Sequence, residues 1–404
     1  MRRSTADLLS ALTRDDSTRI LATLIRLTGD ITLDEDALQD AMVKALSTWD
    51  STGIPDSPRA WVIVTARRCA VDRIRREARR TDKEASAMAL FDDGDDPPEP
   101  VVRDDLLRLV FTCCHPSLSL DARVALSLKT LGGLTTPEVA GALLVPEATM
   151  AKRLTRTKQK IAQAHIPYRV PSDAELPDRL PAVLATVYLV FNEGYAASGG
   201  ELAVRSDLVD EAIRLARLLC ELMPDEASVI GLLALVLLHD SRREARVDKA
   251  GALVLLADQD RSLWDNEKIV EGVRMVGKAL QRSPDRPDSY AVQAAIAACH
   301  ALAPSYVDTD WPAIVSWYDV LLTVTDTPVV RLNRAAAVAE RDGAPAGLAE
   351  MDGIEGLQDY PYWHASRADL LDRLGRRSEA AGAFDRALAL RLNVSHSEHL
   401  RRRG

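Results

Sequence analysis

Aromatic residues are scarce in this 404-residue chain: six Trp, eight Tyr and four Phe make up 4% of it. The β-branched alternation that a half-buried strand needs is scarce too, while Ala, Leu, Arg, Asp and Glu dominate. That excludes an extensive sheet and predicts helix nearly throughout. The five cysteines (Cys69, Cys113, Cys114, Cys220 and Cys299) are odd in number and lack zinc spacing. Adjacent Cys113 and Cys114 precede His115, but no second ligand pair follows, so they are expected to be packed thiols rather than a metal site. No apolar run approaches the ~20 residues that span a bilayer, and none follows Arg2 and Arg3 as in a secretory leader. The expected location is the cytoplasm, with no membrane partner. His239, Asp240, Asp310 and Trp311 invite catalytic readings, yet no nucleophile–base pair is traceable, so structural roles are expected for them. Neither catalysis nor a cofactor is expected.

What is present is 47% hydrophobic residues, enough for buried cores, and a length suited to two to four domains at ~100–200 residues each. The net charge of −9 is uneven. Residues 1–80 carry 14 Lys and Arg against 12 Asp and Glu, and residues 81–105 carry 2 against 9. Residues 106–165 carry 8 against 3, and residues 166–404 carry 27 against 36. Two mildly basic blocks thus bracket an acidic, Pro- and Gly-containing linker at 81–105, and an acidic helical domain follows from 166. Local charge, not the total, governs contact with phosphate.

Helical periodicity over 5–48 breaks at Gly29-Asp30; Asp34, or a neighbouring acid, would cap the next helix, which runs through Leu38, Met42, Val43 and Leu46. Turn residues fill 48–58. Near the C-terminus, Gly375, Ala380, Phe384 and Ala387 have the spacing of a tetratricopeptide helix pair, and Gly343 lies 32 residues before Gly375. Such pairs are expected near 328–394.

Two segments carry chemistry. The helix predicted from Pro58 to Arg80 places Ala60, Val64, Cys69 or Ala70, Val71 and Ile74 on an apolar stripe. Arg59, Arg67, Arg68, Arg73, Arg75, Arg76, Arg79 and Arg80 occupy the rest, against only Asp72 and Glu77. A planar guanidinium fork suits phosphate. Clustering of one sign favours nucleic-acid contact over a merely solvated helix, which would intersperse acids. Residues 134–161 form a helix-turn-helix pattern. Its first helix opens around Thr136, with Val139, Ala140 and Leu143 inward, and its second starts near Pro146. Met150, Leu154 and Ile161 would face the core, leaving Glu147, Thr149, Lys152, Arg153, Arg156 and Lys160 outside for base edges and phosphates. Taken alone, this pattern fits an ordinary helical hairpin equally well.

Together these segments resemble the extracytoplasmic-function sigma factors of bacterial RNA polymerase. Asp34–Leu46 is similar to the core-binding helix of sigma region 2, Trp49–Arg76 to the −10 recognition loop and melting helix, and 120–161 to region 4. Further motifs are similar to the subgroup with a long tetratricopeptide-like (DUF6596-type) C-terminal extension. These include Phe111–Pro116, Leu131–Thr136, Val145–Met150, Phe191–Tyr195, Leu233–Leu235 with Leu238–Asp240, Asp258–Asp260, Asp308–Trp311 and Val330–Arg334.

The resemblance implies an all-α protein: region 2 over 1–80, a linker over 81–105, region 4 over 106–165 and a regulatory helical-repeat extension over 166–404. It implies that Asp36, Leu38, Gln39 and Asp40 bind core polymerase. Asp50, Ser51 and Thr52 would form a base-reading loop above Trp61, Arg67 and Arg68, with Arg59, Arg73, Arg75 and Arg76 alongside for the −10 element. Thr136, Glu147, Thr149, Lys152, Arg153 and Arg156 would serve the −35 element. Leu144 and Ala148 depart from the Gly frequent in the family's turn. The acidic residues Asp92, Asp93, Asp95 and Asp96 would either tether the domains or mimic nucleic acid in the polymerase. Asn192, Glu193 and Tyr195 would either contact the sigma domains or order a turn. The implied partners are the clamp and flap of RNA polymerase core, promoter DNA, and a protein or small-molecule regulator of the extension. Rival readings are a helix-turn-helix regulator acting without polymerase and a tetratricopeptide scaffold.

Overall fold

The computed structural model describes residue 9 and residues 17–81, 99–143, 145–172, 174–195, 205–248 and 253–390. The described residues contain seventeen α-helices, three short 3-10 turns and no strand, only a single antiparallel bridge between Val247 and Leu253. None of these helices is long and apolar enough to cross a membrane. Two compact units are present, Met1–Thr186 and Val187–Gly404.

The first unit contains α1 (Ser17–Thr28), α2 (Ile31–Thr52), α3 (Pro58–Thr81), α4 (Glu99–Cys113), α5 (Leu120–Thr130), α6 (Thr136–Ala142), α7 (Glu147–Gln163) and the first half of α8 (Leu176–Tyr195). The break at Gly29 lies where periodicity put it, but the cap of α2 is Asp30, whose carboxylate accepts from the backbone N–H of Thr32 and Leu33. Asp34 is instead fully buried in the first turn and accepts from the Thr28 hydroxyl. The acid nearest the break wins because only Ncap leaves its side chain in reach of the open N–H groups.

The buried line of α2 is Ala37, Ala41, Ala45 and Trp49, while Val43 and Leu46 are exposed. Likewise α3 buries Val62, Ile63, Ala66, Cys69, Ala70 and Val71, and Val64 points outward. Small residues set the phase in both cases: alanines let α2 and α3 approach closely, and Trp49 fills the remaining space edge-to-face against Trp61, 5.3 Å between centroids.

The helix α4 begins at Glu99, inside the span expected to be linker. Asp92, Asp93, Asp95, Asp96 and Leu144 lie outside the described residues. Long-range polar contacts join the first basic block to the chain from Asp105 to Tyr168. Arg26 pairs with fully buried Asp105 at 3.0 Å, Lys158 on α7 pairs with Glu35 on α2 at 2.5 Å, and the Thr18 hydroxyl donates to Leu131 O. The Tyr168 hydroxyl lies within hydrogen-bond reach of both Ala22 O and Asp105 O. Cys69, Cys113 and Cys114 are buried thiols, as expected, and burial pushes the latter two above the usual thiol range.

The second unit continues through α9 (Ser206–Leu222), α10 (Ala227–Asp240), α11 (Asn266–Arg282), α12 (Ser289–Leu302), α13 (Trp311–Val324), α14 (Pro328–Asp342), α15 (Ala344–Asp352), α16 (Pro361–Arg373) and α17 (Arg377–Ala389). The turns at Met223–Asp225, Ser283–Asp285 and Gly343 separate these helices as the sequence predicts. Helix α10 is apolar on all sides and accordingly buried, with α9, α11 and α12 against it. Gly343 and Gly375 both take positive φ (96° and 75°), where a side chain would be strained, and each joins two helices. Ala380, Ala383 and Ala387 of α17 are buried, with Phe384 packed beside them.

At Gly231 on α10 an added Cβ would sit 2.6 Å from the backbone N of Ala291 on α12. Backbone cannot yield as a flexible side chain does. Gly231→Ala is therefore expected to destabilise the second unit by about 1–3 kcal/mol, read as a lower urea midpoint with an unchanged slope.

Candidate nucleic-acid interface

The outward face of α2 follows from its alanine line. Asp36, Gln39, Val43 and Leu46 stand on it, exposed and 3 to 4 residues apart, so each lies about one turn from the next. Leu38 does not belong to this face and packs half-buried against the α1–α3 core. Asp36 and Asp40 are both engaged by Arg73 of α3, at 2.6 and 2.8 Å. That pair removes Arg73 from the set facing nucleic acid and makes it a brace between α2 and α3. Nothing in the sequence flags it, because its partners lie 33 and 37 positions away.

Asp50, Ser51 and Thr52 occupy the last turn of α2, not a loop. The Ser51 and Thr52 hydroxyls donate back to Thr48 O, and the chain leaves the helix only at Gly53, φ 86°. Trp61 is half-buried against Trp49 rather than free above the helix. Arg68, Arg75 and Arg76 are exposed along the outer side of α3. Arg67 turns toward α1 and lines a small crevice with Leu24, Leu27 and Thr28. Arg59 is half-buried. The side chains of Arg79 and Arg80 lie outside the described residues.

The helix-turn-helix is formed as its pattern predicts. Thr135 caps α6 through a capping box: its hydroxyl accepts from Glu138 N, while Glu138 accepts from Thr135 N at 2.6 Å, and this holds the Glu138 carboxyl below the usual range. Thr136 is thereby the first helical residue and not the cap. Val139 and Ala140 are buried, with Leu143 half-buried. In α7, Met150, Leu154, Thr157 and Ile161 face inward.

This phase leaves Glu147, Thr149, Lys152 and Arg156 exposed. An open groove of 430 Å³ runs between α5 and α7, with Lys152, Arg153, Arg156 and Lys160 on one wall and Leu118, Ser119 and Ala122 on the other. Arg153 sits deeper, 3.9 Å from Asp121, and Lys160 donates to Ser117 O at 2.5 Å. The α5 wall escaped the sequence reading because its residues carry no charge. Four cations around one concavity, with Asp121 the one carboxylate paired to them among the described residues, attract a polyanion and offer guanidinium forks to its phosphates.

The remaining expected site residues belong to the second unit. Tyr195 is turned inward: only 9% exposed, it stacks on Phe191 and lies under the Arg246 guanidinium. Asn192 bonds Tyr188, and Glu193 is half-buried. Asp240 pairs with Arg243 and Lys268, and Asp310 caps α13, so both take the structural roles expected.

Comparison with known proteins adds a family-level frame. The family described as Sigma-70 region 2 matches residues 13–80, and Sigma-70, region 4, matches 108–161. A family of unknown function (DUF6596) matches 179–280. An uncharacterized protein of Rhizobium meliloti (strain 1021) is 43% identical over 390 residues, covering 94% of this chain and 91% of that protein. The ECF RNA polymerase sigma factor SigK of Mycobacterium sp. (strain KMS) is 31% identical over 156 residues, 37% of this chain and 78% of SigK. The probable ECF RNA polymerase sigma factor SigI of Mycobacterium tuberculosis (strain ATCC 25618 / H37Rv) is 27% identical over 213 residues, 51% of this chain and 69% of SigI.

Asp34 supplies a test of the unit's electrostatics. Burial, partly opposed by the Thr28 hydroxyl and reinforced by Asp30, lifts its carboxyl to about 7. The folded unit therefore holds a proton that the unfolded chain releases near pH 4, so stability falls as pH rises from about 4 to 7 and levels beyond. Asp34→Asn removes this ionisation. It is expected to raise stability at pH 8 by about 1–3 kcal/mol, below the ~4 kcal/mol that a three-unit shift would allow. The gain should vanish by pH 4 in urea titrations.

Proposed function

The chain belongs to the extracytoplasmic-function (ECF) family of RNA polymerase sigma factors, and on that premise we propose how its parts initiate transcription. The factor has no catalysis of its own; it brings RNA polymerase core to promoter DNA. The exposed α2 face of Asp36, Gln39, Val43 and Leu46 docks on the polymerase clamp, since its apolar members lack a partner within the described unit. The outer arginines of α3 follow the −10 strand, where cationic tracking and base stacking capture single-stranded DNA. Helix α7 enters the major groove of the −35 duplex with Glu147 and Thr149 at its leading end, and polymerase flap contact holds this module in place.

The cationic groove between α5 and α7 carries this reading, because it pairs an exposed polar helix start with phosphate-binding cations behind it. Region 2 occupies 1–80, the acidic connection 81–105, whose last seven residues already open α4, and region 4 106–165, in a protein that works in the cytoplasm. The segment that follows is a regulatory extension whose last helices, α14/α15 and α16/α17, are tetratricopeptide-like pairs joined at Gly343 and Gly375. It tunes how strongly the sigma modules recruit polymerase.

Run-off transcription with core polymerase tests the whole. Replacing Arg68 and Arg76 together by Ala is expected to lower open-complex formation about tenfold or more while leaving polymerase binding within about twofold, in line with loss of charge-assisted contacts. Equal loss of both would contradict the assignment. No affinity of the intact chain for core polymerase would overturn the proposal entirely.

Truncation should respect α8. Arg179 donates to Phe111 O and Arg123 to Ala182 O, so the first half of α8 is part of the first unit. A chain ending at Tyr195 is expected to keep its helical circular dichroism and change promoter output at least severalfold. Unaltered output would remove the tuning role.

A further inference from the structure

Four segments of the second unit that are distant in sequence meet in one cluster. The end of α8 brings Phe191 and Tyr195, stacked with centroids 5.2 Å apart. The end of α10 and the turn after it bring His239, Arg242 and Arg246. The 3-10 turn at 261–263 brings Arg261, and the end of α12 brings His300.

The His239 ring lies 5.5 Å from Tyr195, and the Arg246 guanidinium lies 3.5 Å above the Tyr195 ring, with Arg242 at 5.8 Å. His300 meets Trp311 edge-to-face, and Arg261 donates to His300 O and, at 2.8 Å, to Ala303 O. Arg242 stands among them. After burial, its charge is a cause that lowers the proton affinity of His239, Arg246, His300 and Arg261 alike. Both imidazoles are thus held neutral, down to about 3 for His239 and about 4 for His300.

The charge is one-sided without a compositional reason. Residues 166–404 hold 36 acids to 27 cations, yet among the described residues no carboxylate pairs with Arg242, Arg246 or Arg261. Arg243, between the first two in sequence, faces away and is paired at 2.6 Å with both Asp210 and Asp240. Polar atoms in the cluster are also left unused. Arg246 lies over the Tyr195 ring, and His300 Nδ1 and Arg261 Nη2 are buried with no hydrogen-bond partner among the described residues. Tyr195 and Arg246 are each only 9% exposed. Holding the half-buried Arg242 and Arg261 beside buried Arg246, with unpartnered polar atoms among them, costs stability in the absence of a compensating anion.

We propose that this cluster is a binding site for a small ligand bearing a carboxylate or phosphate group. Arg242 and Arg246 engage the oxyanion with their guanidinium forks. Tyr195 Oη and the neutral imidazoles add hydrogen bonds without adding charge, and the half-buried ring of Trp311 offers an apolar surface to the rest of the molecule. This site rests on the second unit alone and stands whether or not that unit tunes promoter recruitment.

The test is a titration of the full-length chain, ¹³C-labelled at histidine Cε1, with inorganic phosphate and separately with benzoate. Ionic strength is held constant with NaCl. Saturable shifts confined to His239 and His300, with the other five of the seven histidines unmoved, are the expected result. Whichever anion saturates at the lower concentration identifies phosphate or carboxylate as the better-matched group. Arg242→Gln and Arg246→Gln should each raise the dissociation constant about tenfold or more, as loss of a charge-assisted bond does, and Tyr195→Phe severalfold. Arg246→Lys, which keeps the charge and loses the fork, should lie between wild type and Arg246→Gln. It serves as the readout if the Gln variant does not fold. Shifts that stay linear in both anions, that spread over all histidines, or that persist unchanged in Arg242→Gln and Arg246→Lys overturn the proposal.

Discussion

The rotational phase of α2 against α3 is the constraint on which the sigma-like unit depends. Ala37, Ala41 and Ala45 form a ridge low enough for Val62, Ile63 and Ala66 to pack closely, with Trp49 and Trp61 closing one end. Once that seam is buried, geometry determines what each helix shows outward: acids and apolar residues on α2, arginines on α3. One position of slip would turn Val43 and Leu46 inward and carry the alanine line to the surface. The faces proposed for polymerase and for DNA are both consequences of one hydrophobic contact.

Charged side chains inside the unit do a different job from those outside. Asp105 is fully buried yet held by Arg26 and Arg108, Glu35 is matched by Lys158, and Arg73 spans Asp36 and Asp40. Half-buried pairs of this kind add little net stability, since desolvation offsets much of the attraction. A wrong register, however, would leave a charge buried alone, so they discriminate strongly against it. Among the described residues the cations of the α5–α7 groove meet only one carboxylate, that of Asp121, which suits a polyanionic partner. The same contrast recurs in the second unit, where Arg243 is paired twice while no carboxylate among the described residues pairs with Arg242 or Arg246.

Much of this was legible in the sequence. Helix positions followed from periodicity and from punctuation at Gly29, Pro58, Pro137 and Gly343. The helix-turn-helix was readable because Met150, Leu154 and Ile161 recur at helical spacing. The family was readable from motifs along nearly the whole chain. Assignments of individual side chains fared less evenly. Val64 was placed on the apolar stripe of α3 because apolar character outweighed the small size of alanine, although close helix contact favours alanine. Asp50, Ser51 and Thr52 were read as loop because polar residues cluster there, yet Gly53 is where the backbone turns.

By itself, then, the sequence determined that this is an all-helical chain of two basic modules and an acidic extension, because periodicity, capping and local charge act within a few residues of one another. Only tertiary structure decided that Arg73 braces α2, that Tyr195 is turned into its own unit, and that Arg242, Arg246, His239 and His300 converge. Those outcomes depend on which helix faces meet across 30 to 100 positions of chain, and packing of whole surfaces, not local preference, selects the match.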